Sequence, residues 1–204
     1  MSEIIYYGLD LETTGLGINN AEVTQISIIR YSDRHQLSKY IIAEHPETAS
    51  DEALRVTGRT RADLLKGDPK EYVVDLVDNF FAQDGTTPEH RCMVGHNVHR
   101  FDCRFSHALW EKCKKEFQGH LWLDTLPFTK SYASKFGISS PGGFNLRASL
   151  DLVNIEVKHQ MHNAIIDTQY NYRLWKKLME SGVDYVDHMK RKPHKLNKDE
   201  SDDE

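Results

Sequence analysis

The sequence predicts an α/β fold with a mixed central sheet of about five strands and helices on both faces. Two observations carry that expectation. The chain opens with three β-prone runs, and from residue 51 onward apolar stripes at helical spacing alternate with short apolar runs of strand character.

The elements follow in order. Strands are expected at Ile4 to Leu11, Val23 to Tyr31 and Leu37 to Ala43, then helices across Asp51 to Leu65 and Lys70 to Phe81. A strand at Arg91 to Gly95 feeds a helix across His99 to Glu116, in which Phe101, Phe105, Ala108 and Leu109 recur three and four apart and mark the buried side. Leu121 to Leu123 reads as a strand, followed by short helices near Thr125 to Lys135 and Leu146 to Leu152. The last helix, Ala164 to Glu180, carries the stripe Ile166, Tyr170, Leu174 and Leu178. Loops rich in turn formers, 84–88 and 137–143, interrupt the pattern. The second comes shortly before the last helix and reads either as a border of a substrate groove or as a plain surface linker. After Asp187 a basic run, Lys190-Arg191-Lys192, gives way to the acidic end Asp199 to Glu204, so residues 188–204 read as a disordered charged tail.

Acidic residues at the ends of these elements point to chemistry. Asp10 and Glu12 sit where the first apolar run meets Thr13-Thr14-Gly15-Leu16. Two apart on a strand, they share one face with Cα atoms about 6.5 to 7 Å apart, a gap one cation can bridge. Carboxylates held that close repel unless a proton or cation intervenes, and clustered oxygen donors favour a hard divalent ion such as Mg2+ or Mn2+. Asp102 falls in the first turn of the helix after the Arg91 to Gly95 strand. His162 and Asp167, five apart, are turned by about 140° on a regular helix. They share no helix face, so with Asn163 as N-cap His162 lies on the loop outside and leans toward Asp167. Taken singly, each has an ordinary explanation: a solvated strand end, an acid favoured by a helix dipole, a loop histidine.

Together, and in this order, the segments resemble the motifs of the DnaQ-like 3′–5′ exonucleases of the DEDDh class. Asp10, Glu12, Thr13, Thr14 and Gly15 match the first motif, Asn97, Phe101 and Asp102 the second, and His162 and Asp167 the third. Weaker echoes lie at Ala53 to Thr60 and Leu123 to Leu126, so the resemblance runs from about Ile4 to Met179. It implies a ribonuclease-H-like fold, an exonuclease domain over residues 1–187, and hydrolysis with two divalent cations, Mg2+ or Mn2+. By that resemblance Asp10 bridges both ions, Glu12 and Asp167 complete one site, and Asp102 serves the other. His162 is then the general base, a task suited to an imidazole that titrates near pH 6.5. Thr13, Thr14, Gly15, Leu16, Asn97 and Phe101 are the expected substrate contacts.

Composition narrows the setting. A chain of 204 residues, 39% hydrophobic, suits one core. There is no basic leader at Met1-Ser2-Glu3, no apolar run of membrane-spanning length and no Gly at position 2, so neither export nor a membrane is expected. Cys92, Cys103 and Cys113 make neither a disulfide framework nor a Cys-x-x-Cys zinc site, which suits a reducing, cytoplasmic setting. A net charge of −5 gives no global basic field for long duplexes. An end-binder therefore fits better than a groove-binder. The resemblance implies hydrolysis from the 3′ end of single-stranded or frayed DNA with release of nucleoside monophosphates, DNA coming first because the motif-one turn and compact layout look like the stand-alone DNA members of that family. An exoribonuclease acting on RNA, an inactive nucleic-acid- or protein-binding module and a phosphohydrolase of free nucleotides are the alternatives. Whether a homodimer or a polymerase partner exists stays open.

Overall fold

The computed structural model describes residues 3–159 and 161–191. Its centre is one six-stranded sheet: β1 (Ile5–Thr13), β2 (Val23–Arg30), β3 (Gln36–Tyr40), β4 (Arg91–Gly95), β5 (Leu121–Asp124) and β6 (Met189–Arg191), in spatial order β3-β2-β1-β4-β5-β6. β1, β4 and β5 run parallel, while β2, β3 and β6 are antiparallel to their neighbours. The carboxyl ends of β1, β4 and β5 therefore share one edge of the sheet, the edge where open α/β sheets hold ligands.

Alternation along β1 assigns the two faces. Tyr7, Leu9 and Leu11 are buried in one core with residues of α2 (Lys70–Ala82) and α3 (Asp102–Lys112), among them Val73, Val77, Phe81, Phe105 and Trp110. The opposite face receives α6 (Ala164–Met179), and α4 (Thr125–Phe136) and α5 (Leu146–Leu152) pack against α6 through Phe128, Leu150 and Leu174. Gly8 sets how closely α6 approaches. A Cβ there would stand 2.7 Å from Tyr31 Cε1 and 2.8 Å from Thr168 Cγ2, so any larger residue would push the helix away from the strand.

The structure departs from several expected boundaries: β3 stops at Tyr40 rather than Ala43 and α3 at Lys112 rather than Glu116, and it differs at four further places. The helix expected over Asp51 to Leu65 is α1 (Asp51–Thr57), stopped by Gly58 in the left-handed conformation, with a separate 3-10 turn at Asp63–Leu65. α3 begins at Asp102 rather than His99 because the preceding residues form a turn, with Asn97 at φ +67°. β1 continues to Thr13, past the expected end at Leu11. Residues 189–191, expected in the tail, pair with β5 as a short edge strand. Lys190 and Arg191 are exposed and only Met189 packs inward, so this edge carries no apolar alternation to announce it. The rest of the expected tail, 192–204, lies outside the described residues.

A buried ion pair ties the start of β4 to the loop before it. Asp84 accepts from Arg91 Nε at 2.7 Å, from Arg91 Nη2 at 2.8 Å and from the Tyr7 hydroxyl at 2.6 Å. Its side chain is 1% exposed. Burial opposes ionisation, but these bonds outweigh it and hold the carboxyl below its usual pKa. Its stabilisation is therefore full above the ordinary carboxylate range and is lost as pH falls through the depressed value. Asp84→Ala should lower unfolding free energy by about 3 to 5 kcal/mol in urea titrations at pH 7, because it strands Arg91 in the interior. A loss below about 1 kcal/mol would place the pair among weak surface bridges instead.

Candidate active site

The acids meet where β1 reaches the shared strand edge. Asp10 and Glu12 lie on the same face of β1 as Gly8, the face against α6. Asp167, in the first turn of α6, is one residue before Thr168, the side chain that a Cβ at Gly8 would strike. Close packing of helix on strand thereby brings three carboxylates together. Asp10, Glu12 and Asp167 each present an oxygen within 4.8 Å of the other two.

Asp102 stands beside this trio, not within it. It is the first residue of α3, buried, and its Oδ1 accepts the Leu11 backbone N–H at 3.0 Å, between the two acids of β1. His162 occupies the loop outside α6, as expected, with φ +67°. Its backbone N–H donates to Asp167 Oδ2 at 2.9 Å, and Asn163 caps the helix by accepting from Ile165 N–H. The imidazole is exposed and close enough to Asp167 for its charge to act on that carboxyl.

Electrostatics marks the cluster as costly when empty of counter-charge. Burial and the charges of Asp102, Asp167 and Glu12 push Asp10 well above the usual carboxylate range. Glu12 is raised by burial and by Asp167, with Arg59 opposing. Asp102 is raised chiefly by burial, against its backbone hydrogen bonds. Burial also raises Asp167, against its hydrogen bond from His162. One oxygen of Asp167, Oδ1, is buried without a hydrogen-bond partner among the described residues. Converging oxygens, an orphaned acceptor and mutual repulsion together fit a hard divalent cation held by Asp10, Glu12 and Asp167.

The six residues expected to touch substrate fall into two groups. Leu16 is 86% exposed beside the cluster's strand end, and a Cβ at Gly15 would meet only ordinary neighbours, Ala21 Cβ at 3.7 Å and Ser50 Oγ at 3.9 Å. The packing around Gly15 does not demand glycine. Asn97 is exposed and Phe101 half-buried against Phe105. Thr13 and Thr14, by contrast, are buried and their hydroxyls serve the turn: Thr13 donates to Gly15 O at 2.6 Å, and Thr14 accepts from Glu22 N–H at 2.8 Å.

Two residues here escaped the sequence reading. Asp124 accepts backbone N–H bonds from Asn97 and Leu126 through Oδ1 and from His99 through Oδ2, at 2.9, 3.0 and 3.2 Å, and so fixes the turn that leads to Asp102. Its position at a strand end before a helix was the available signal. Arg59 donates to the Thr24 and Asp63 carbonyls, stacks on Tyr40 at 4.5 Å and acts on Glu12, a placement that only the tertiary fold reveals.

An acid cluster of this kind stands at the carboxyl edge of a mixed sheet flanked by helices on a ribonuclease-H-like fold, and its oxygens are arranged as a divalent cation would need them. The chain belongs to the family whose model, RNase_T, is described as an exonuclease and matches residues 8–175, the DnaQ-like DEDDh class that the motifs resemble. Among solved structures it is similar to the zinc-bound form of the E. coli exonuclease I complex with single-stranded DNA, at 19% identity and TM-score 0.75, covering 91% of this chain and 42% of that one. Cell-death related nuclease 4 (CRN-4) is similar at 12% identity and TM-score 0.72, over 88% of this chain and 65% of the other. Exonuclease I from Methylocaldum szegediense matches at 18% identity and TM-score 0.69, over 87% and 40%. The chain thus spans less than half the length of these exonuclease I chains. No curated protein matches its sequence significantly.

The raised carboxyls set a stability test. Acids whose folded pKa is raised are neutral and harmless below their ordinary range near pH 4, and they destabilise increasingly as pH rises through the raised values. At pH 8 in chelator, Asp10→Asn should therefore melt several degrees above the native chain, and Mn2+ should raise the native melting temperature more than the variant's. A variant that melts lower in chelator, or an identical Mn2+ response, would contradict this reading of the cluster.

Proposed function

We propose that this chain is a metal-dependent 3′–5′ exonuclease that releases nucleoside monophosphates from the 3′ end of single-stranded or frayed DNA. The observation that carries the proposal is the convergence of Asp10, Glu12 and Asp167 within 4.8 Å, next to a loop histidine. Asp10, Glu12 and Asp167 would hold one Mg2+ or Mn2+ ion, with Asp10 shared and Asp102 serving a second. When bound, such a pair supplies an activated water and neutralises charge at the leaving oxygen.

The chain's own groups do the rest. His162 accepts the proton of the attacking water, and its exposure on the α6 loop lets it reach a phosphodiester arriving from solvent. The hydrogen bond from its backbone to Asp167 keeps base and acid in register. Leu16, exposed beside Gly15, packs on the terminal base, and this contact is blind to sequence because every base offers an apolar face. Asn97 and Phe101 border the same end of the sheet and contact the terminal nucleotide.

DNA is the preferred substrate. Exonuclease I structures similar to this chain carry oligonucleotides named dT13 and dA16, and the net charge of −5 favours a protein that grips an end over one that follows a duplex. No helix among the described residues is long and apolar enough to cross a membrane.

Product analysis on 5′-labelled DNA and RNA oligonucleotides, run side by side with Mg2+, tests this. Stepwise loss of mononucleotides from the 3′ end, faster on DNA, is expected. Asp10→Ala should abolish it, and His162→Ala should slow it by about 100- to 10,000-fold, the value of a general base. Faster RNA degradation would transfer the reading to an exoribonuclease. Binding without cleavage would make the chain a nucleic-acid-binding module.

A further inference from the structure

His96 has a role that none of the acids requires. Its Nε2 lies 2.7 Å from the Phe144 carbonyl oxygen and its Nδ1 3.0 Å from Thr125 Oγ1. A carbonyl only accepts, so Nε2–H donates to Phe144. Burial lowers the ring's pKa, which keeps it neutral and makes Nδ1 an acceptor for the Thr125 hydroxyl. Thr125 Oγ1 is also 2.7 Å from the Asn171 carboxamide. It lies 3.1 Å from the Gly95 carbonyl oxygen as well, so the hydroxyl faces His96, the end of β4 and α6 at once.

This relay joins three parts of the site. Asn171 lies four residues beyond Asp167, on the same side of α6. Thr125 follows Asp124, the residue that pins Asn97 and His99. Phe144 ends the loop 137–145 just before Asn145, the N-cap of α5, and its ring is faced by Lys130 at 5.8 Å. Apart from Ser140 and Phe144, residues 137–145 are exposed. The Phe144 carbonyl also accepts from Ser149 Oγ of α5 at 3.3 Å, and the shorter His96 bond is its tie to the strand edge that bears the acids.

The geometry points to His96 as a positioning residue that moors loop 137–145 beside the end of β4, making it one wall of the channel for the nucleotides that follow the 3′-terminal one. The inference rests on the exonuclease reading above. The wall lies on the β4–β5 side of the strand edge, next to Asn97, whereas the acids lie at the end of β1.

The test compares His96→Leu with His96→Gln, whose side-chain amide can still donate to Phe144. Two substrates are used: a short oligothymidylate, and the p-nitrophenyl ester of thymidine 5′-monophosphate, which fills only the terminal position. For His96→Leu the ratio of kcat/KM on the oligonucleotide to that on the ester should fall about ten-fold, through KM, the scale of one lost hydrogen bond. His96→Gln should recover most of it. In parallel, proteolysis within residues 137–147 should accelerate in His96→Leu and not in His96→Gln. An equal fall on both substrates, or a loop no more open to protease, overturns the inference. Should the native chain cleave neither substrate, the exonuclease reading fails and the channel wall with it, while proteolysis still decides whether His96 moors the loop.

Discussion

Like charges forced together where water is scarce are the constraint on which this molecule is built. Asp10, Glu12 and Asp167 reach one another because α6 lies close on β1, and α6 lies close because Gly8 offers no side chain to Thr168 or Tyr31. Each carboxyl is driven toward its neutral form by burial and by its neighbours. A fold that keeps such repulsion stores it at the place where a divalent cation can relieve it, and that arrangement is common to cation-dependent hydrolase sites.

The remaining architecture holds this cluster steady. Three parallel strands deliver their carboxyl ends to one edge, and each end is fastened to the next: Asp102 to the Leu11 backbone, Asp124 to the turn at 97–99, His96 to Thr125 and the 144 carbonyl. On the far side, the Asp84–Arg91–Tyr7 group anchors the start of β4 and links it to β1. The acids thus sit on regular elements with short tethers, while Leu16 and His162, which the proposed function assigns to the substrate, are exposed on turns.

Much of this was legible in the sequence because local rules operate where the chemistry lies. The β1 acids were placed on one face by period-two alternation, and His162 was set outside α6 by helix rotation together with the capping preference of Asn163. What escaped was tertiary. Gly58 ends α1 early through a left-handed residue that a helical stripe does not reveal. β6 is held by pairing with β5 and by Met189, with polar neighbours that read as tail. Thr14 also has a structural task that its motif position does not announce: its hydroxyl accepts the Glu22 N–H and so closes the turn. Asp124 carried a local signal as a cap between strand and helix, but its bonds to residues 97 and 99 and the action of Arg59 on Glu12 join parts distant in sequence and appear only in the fold.

The claim at the centre is that the three converging carboxylates exist to hold a cation. Crystals soaked in Mn2+ and measured at the manganese absorption edge test it most directly. An anomalous peak bounded by oxygens of Asp10, Glu12 and Asp167 is the expected result. Ordered crystals that show no such peak at saturating Mn2+, with the carboxyls instead hydrogen-bonded to one another through shared protons, would contradict the account.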